Sequence, residues 1–72
     1  MAYDYSKLLG RIVEKYETQA KFANALGLSE RSLSLKLNNL RNFKQNEIFE
    51  SAQLLELNED SIPIYFFTLK VQ

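Results

Sequence analysis

The chain has neither cysteine nor histidine, and only two glycines and one proline among its 72 residues. Without cysteine no disulfide can form, so the fold must rest on packing alone, as suits a reducing cytoplasm. With both Cys and His missing, thiol nucleophiles, imidazole acid-base catalysis and the usual transition-metal sites are excluded or badly handicapped; neither metal nor cofactor is expected. Glycines at 10 and 27 alone cannot make a P-loop or a dinucleotide fingerprint. No apolar run approaches the ~20 residues that span a bilayer, and the opening MAYDYSKLLG has no charged region ahead of an apolar one. The expectation is a soluble protein of the cell interior, with no membrane partner.

Carboxylate pairs exist, Glu47 with Glu50 and Glu59 with Asp60, but one lies on a short acidic helix and the other in a turn. Solvation and the helix dipole explain both. A chain this short also leaves little room for a ~300 Å³ substrate pocket, so an enzyme is not expected.

What is present is a globular composition: 46% hydrophobic residues, with five Phe and four Tyr. Seventy-two residues allow a single domain, burying roughly 60% of the surface its unfolded chain exposes. The net charge is zero, yet the charges are segregated. Residues 1–20 balance; residues 21–44 set Lys21, Arg31, Lys36, Arg41 and Lys44 against Glu30 alone, a net of +4. Residues 45–72 set Glu47, Glu50, Glu56, Glu59 and Asp60 against Lys70, a net of −4. A nucleic-acid partner, which overall neutrality argues against, is thus kept open by the middle third.

Apolar spacing predicts an all-α chain of five helices. Leu8, Leu9, Ile12, Val13 and Tyr16 form the stripe of a first helix over 5–16, with Asp4 as its N-cap. A second starts after Thr18, buries Ala20, Phe22, Ala23 and Leu26, and stops at Gly27, which can take the left-handed conformation. A third begins at Ser29, buries Leu33 and Leu37 and ends at Asn38 and Asn39. Residues 39–45 lack a period and read as a loop in which Leu40 or Phe43 anchors to the core. A fourth helix capped by Asn46 has Ile48, Phe49, Ala52, Leu54 and Leu55 for its apolar face, with Glu47 and Glu50 at the positive end of its dipole. A turn at Asn58 or Glu59 leads to a short fifth helix through about Phe67, with Pro63 in its first turn. The alternative for that end is an extended tail, since Tyr65, Phe67, Leu69 and Val71 alternate. Tyr65, Phe66 and Phe67 read as closure of the core over helices one and four.

Two short helices joined through a glycine turn make a helix-turn-helix, whose second helix enters the major groove while the first crosses the backbone. The stretch TQAKFANALGLSERSLSLKLN, residues 18–38, resembles that unit as found in the phage-repressor or Cro-like family: Gln19 opens the first helix, Ala23 allows close helix contact, Gly27 turns, Leu28 plugs, and Ser29 caps. The whole chain, from MAYDYSKLLGRIVEKY through GLSERSLSLKLNN to IPIYFF, resembles the small modulators of repression of temperate lactococcal phages. That resemblance implies one helix-turn-helix domain over 1–72 with a C-terminal tail at 68–72. It also implies a role in the lysis-lysogeny switch, inside the bacterial host, as an anti-repressor that binds the lysogeny repressor's N-terminal DNA-binding domain.

Carried over by position, the family pattern places Gln19 at a phosphate or base contact and Ser29 at a phosphate contact, with Glu30, Arg31, Ser34 and Leu35 on the exposed face of the third helix. Asn38 closes that face; Lys36 and Arg41 fall near the backbone path, and Lys21 and Lys44 are further candidates for backbone contacts. Arg31 could read guanine through a bidentate bond worth ~1–3 kcal/mol, and Lys36 could neutralise a phosphate. Leu35 departs from a DNA-reading pattern, offering at most a thymine-methyl contact, and Glu30 repels phosphate. An apolar centre with a charged rim suits a protein partner instead. The expectation is therefore a helix built on the DNA-reading plan and turned toward a repressor, with operator DNA, alone or in a ternary complex, as a second partner. The alternatives are a Cro-like repressor that binds operator directly, and, for Leu35, burial under loop 39–45.

Overall fold

A computed structural model describes residues 2–71. Among them five α-helices occur: α1 (Ser6–Tyr16), α2 (Gln19–Leu26), α3 (Glu30–Leu37), α4 (Gln45–Leu54) and α5 (Ile62–Phe66), the last preceded by a 3₁₀ turn at Glu59–Ser61. Tyr5, Leu8, Ile12, Phe22, Ala23, Leu26, Leu33, Leu37, Leu55 and Phe66 form one buried cluster, to which every α-helix or its flanking turn contributes.

The helix ends follow the capping chemistry of the sequence in part. Thr18 accepts from the Lys21 N–H and Ser29 from the Ser32 N–H, each supplying an acceptor to one of the orphan N–H donors of a helix start. Asp4 acts one residue early: Tyr5 holds the N-cap position, while the Asp4 carboxylate accepts from the Ser6 N–H at 2.9 Å and the Ser6 hydroxyl at 2.6 Å. The cap of helix α4 lies two residues before the expected Asn46. Lys44 is its N-cap, and its N–H is satisfied by the Glu47 carboxylate reaching back at 2.9 Å.

Three helices end in the same way. Gly27, Asn39 and Glu56 take left-handed backbone, at φ 81°, 63° and 56°. In each turn the next residue's N–H reaches back to the carbonyl five residues earlier: Leu28 to Ala23, Leu40 to Leu35, and Leu57 to Ala52, all within 2.8–2.9 Å. This is the Schellman closure, and it normally folds an apolar side chain back onto the helix.

Several side chains lie elsewhere than their spacing suggested. Val13 and Ala20 are exposed, Phe49 is 60% exposed, and Leu40 is 71% exposed. Val13 sits at the margin of the α1 stripe, beyond the face that Tyr5, Leu8 and Ile12 bury. On α4 the buried line runs through Glu47, Ser51, Ala52 and Leu55, about 140° around the helix from Phe49. Phe43, not Leu40, anchors the loop, its ring edge-on to Tyr5 at 5.5 Å and to Phe66 at 5.3 Å. Of the closing aromatics, Phe66 is buried, Tyr65 half-buried and Phe67 exposed.

Both readings of the C-terminal end hold in turn. After α5 the chain is extended, and Leu69 forms an antiparallel bridge with Tyr3. Its hydrogen bonds run from Asp4 N–H to Thr68 O at 2.7 Å and from Lys70 N–H to Ala2 O at 3.1 Å. Gln72, the last residue of the expected tail, lies outside the described residues.

Candidate functional site

Residues 18–41 bring most of the expected site together. Helix α2 packs on α3 through Phe22, Ala23 and Leu26 against Leu33 and Leu37, and the Gly27 turn fixes the step between the two helices. Opposite the buried line of α3, Glu30 and Arg31 are exposed and Ser34 and Leu35 half-buried, with Ser29 and Asn38 exposed at the two ends. Gln19 stands half-buried at the first position of α2. Leu35 is half-buried and stands outside the apolar side chains that pack on the core.

The polar groups on this face are partly committed. Ser29 Oγ accepts the Ser32 N–H at 3.0 Å and lies 3.0 Å from Ser32 Oγ. Asn38 Nδ2 donates to the Ser34 carbonyl at 2.8 Å, which holds it against the helix end. Lys21, on α2, pairs with Glu17 at the end of α1 at 2.8 Å, both exposed.

Lys36 corrects the sequence reading. Its side chain is buried and its ammonium pairs with the Glu47 carboxylate, so it faces α4 and cannot meet a phosphate. The spacing carried the signal: Leu33, Lys36 and Leu37 stand at i, i+3 and i+4, which is one helix face, and that face is the buried one. Burial pushes the Glu47 carboxyl up. Lys36, with the Lys44 N–H as second donor, more than offsets it, so the group titrates below its ordinary value. Of the five cations in residues 21–44, only Arg31, Arg41 and Lys44 lack a carboxylate partner among the described residues. The +4 read from the sequence is a thinner positive surface in space.

Two residues that sequence reasoning did not assign to the site belong beside it. Leu40 follows α3 directly and stands 71% exposed, with Arg41 next to it, also exposed. Asn39 sits in the α3 Schellman turn, and its side-chain amide is bonded twice to the Tyr3 backbone.

On another face lies an apolar groove of about 250 Å³ lined by Tyr3, Tyr5, Asn42, Phe43, Ile48, Phe66 and Phe67. Its titratable groups are tyrosines alone, and burial raises the Tyr5 hydroxyl further from ionisation, with Tyr3 adding to it. Nothing there serves as a nucleophile or a general base near neutral pH. Among the described residues no group of three or more His, Cys, Asp or Glu could hold a metal, and no helix is long and apolar enough to cross a membrane.

The family model described as a protein of unknown function, DUF739, matches residues 1–69. Among solved structures, the chain is similar to the modulator of repression (MOR) of the temperate bacteriophage TP901-1 from Lactococcus lactis, seen in solution. The two share 56% identity with a TM-score of 0.82, covering 100% of this chain and 97% of that one. No curated protein matches the chain.

Proposed function

Since the chain belongs to the DUF739 family, and its likeness to a phage modulator of repression covers its whole length, we propose that it regulates the lysis-lysogeny switch of a temperate phage. In this reading it is a non-enzymatic anti-repressor of the host cytoplasm. It docks the exposed face of α3 on the N-terminal DNA-binding domain of the lysogeny repressor and so occludes or retunes operator binding. Residues 18–38 serve as a helix-turn-helix redirected from DNA to protein.

The observation that carries this reading is the make-up of the α3 face. A half-exposed leucine stands among Glu30, Arg31 and Ser34, while the lysine that would meet a phosphate is spent on Glu47. Neutralised phosphates set the affinity of a DNA reader, and this face offers few cations to do it. An apolar centre with a polar rim is the usual anatomy of a protein interface.

The test is an electrophoretic mobility shift on the phage's divergent promoter region, with this protein alone, the repressor alone and both together, at two salt concentrations. The expected result is no shift by the protein alone and a lost or altered repressor shift on mixing. A salt-sensitive shift by the protein alone would overturn the reading in favour of a Cro-like operator binder. Leu35→Asp should abolish partner binding with the fold intact; unchanged affinity would remove α3 from the interface.

A further inference from the structure

The three Schellman turns offer a comparison within one molecule. Each places a leucine directly after its left-handed residue. Leu28 and Leu57 follow the rule of this turn and pack, half-buried, against the core. Leu40 makes the same backbone hydrogen bond, to Leu35 O at 2.9 Å, yet its side chain remains 71% exposed. An apolar side chain held in water by an ordered turn gains nothing for the fold.

The turn that holds it out is restrained from two sides. Asn39 Oδ1 accepts the Tyr3 N–H at 2.8 Å and Asn39 Nδ2 donates to Tyr3 O at 3.0 Å, which fixes the turn to the extended N-terminal segment. On the other side, one oxygen of Glu47 takes both the Lys36 ammonium and the Lys44 N–H, tying the end of α3 to the start of α4. The short loop between them has little freedom to fold Leu40 inward. Its N–H bonds to the Leu35 carbonyl, and Arg41 follows, exposed and without a carboxylate partner among the described residues.

We propose that Leu40 is the anchor of the docking face, a pre-set apolar knob that enters a socket on the same repressor domain that α3 covers. This rests on the α3-docking reading and adds a specificity residue to it. The occupant is a folded protein surface: Leu40 follows an α3 face on which Arg31 is the one cation left exposed for phosphates, and a leucine offers a duplex at most a thymine-methyl contact. Anchors of interfaces are apolar side chains buried in a partner's pocket, and rigidity before binding lowers the entropy lost on docking.

The experiment measures the affinity of Leu40→Ser for the isolated N-terminal domain of the repressor by calorimetry, beside the parent, Leu35→Asp and Val13→Ser. Val13 is a similarly exposed apolar residue on α1 and serves as the control for simple loss of surface hydrophobicity. Leu40→Ser should lower affinity tenfold or more with the urea midpoint unchanged, and Val13→Ser should leave affinity unchanged; the tenfold loss corresponds to about 1.4 kcal/mol. Parent-like binding by Leu40→Ser while Leu35→Asp is dead overturns the anchor and leaves the α3 reading standing. Absence of binding by the parent overturns both. If Leu40→Ser lowers the urea midpoint, Leu40→Lys keeps the stem and removes the apolar tip, and parent-like affinity for that variant overturns the anchor as well.

Discussion

Asn39 and Tyr3, 36 positions apart, form a two-bond bracket in which the asparagine amide replaces a β-bridge partner: Oδ1 accepts from Tyr3 N at 2.8 Å and Nδ2 donates to Tyr3 O at 3.0 Å. Asparagine is suited twice over here, since it also tolerates the left-handed φ of 63° that ends α3. The bracket thus joins the end of the candidate docking helix to the segment that the C-terminal tail pairs with.

Two substitutions separate those contributions. Asn39→Gly keeps the backbone conformation and deletes both hydrogen bonds, at about 1–3 kcal/mol for the pair. Asn39→Ala deletes the same bonds and adds left-handed strain of ~1–2 kcal/mol, partly offset by glycine's greater unfolded-state entropy, so it should be worse by about 0.5–1 kcal/mol. Urea denaturation of both variants measures the difference. Equal losses would mean that the turn conformation is not what asks for asparagine.

Lys36→Ala and Arg31→Ala test opposite assignments of two neighbouring cations on α3. Removing Lys36 strands the buried Glu47 carboxylate and should cost about 3–5 kcal/mol, whereas Arg31 is exposed and its loss should stay within about 0.5 kcal/mol. Similar small losses in both would place Lys36 in solvent. Replacing the whole pair, as Lys36→Met with Glu47→Leu, should restore most of the stability, since a buried pair is rarely better than apolar side chains of its size.

How much of this was legible beforehand varies with the physics that decides each feature. Caps at Thr18 and Ser29, the turn at Gly27 and the buried leucines of α2 and α3 depend on local chemistry and periodicity, and both are written in the sequence. The Lys36–Glu47 pair was half legible: spacing put Lys36 on the inner face, but its partner lies on another helix. Phe49 and Val13 were misplaced because an apolar residue next to a stripe reads as part of it, and only tertiary packing decides the stripe's width. For loop 39–45 the expected anchor is Leu40 or Phe43; a stretch without a period does not tell which of the two turns inward, and Phe43 does. The exposure of Leu40 follows from the Asn39 bracket and the Glu47 tie, which join residues far apart along the chain.

Acid should weaken the protein through Glu47. Its folded-state value lies below the ordinary carboxyl value of 4.5, so the pairing stabilises above that pH and is lost as pH falls through the folded value. Urea midpoints measured from pH 7 down to below 4.5 should fall steeply for the parent at the acid end. Glu47→Gln should start lower at pH 7 and show a shallower decline. Parallel pH profiles for the two proteins would show that Glu47 is not linked to folding.

Ser51 offers a stabilising change. Its hydroxyl is fully buried on α4 and has no hydrogen-bond partner among the described residues. A buried hydroxyl without a partner costs free energy, and alanine is the better helix former, so Ser51→Ala should raise stability by about 1 kcal/mol. Thermal denaturation measures it, and a loss of stability would reveal a partner, such as a water, that the hydroxyl serves.

Phe66 and Phe49 are one turn of argument apart: the same side chain, two helices, opposite environments. Phe66 is 1% exposed and sits edge-on to Phe43 in the central cluster, so Phe66→Ala should cost about 3–5 kcal/mol. Phe49 is 60% exposed, and with Gln45, Ile48 and Phe67 it lines a shallow apolar depression on the α4 side. Phe49→Ala should cost under about 1 kcal/mol, and its measured loss against that of Phe66→Ala, in the same urea series, tests the rotation of α4 about its axis. If Phe49 proved as costly as Phe66, α4 would have to turn by roughly 140° to bring it to the centre of the buried line. That rotation would carry Glu47 away from Lys36. The two aromatic variants therefore check, without any charge being altered, the same helix orientation on which the buried ion pair depends.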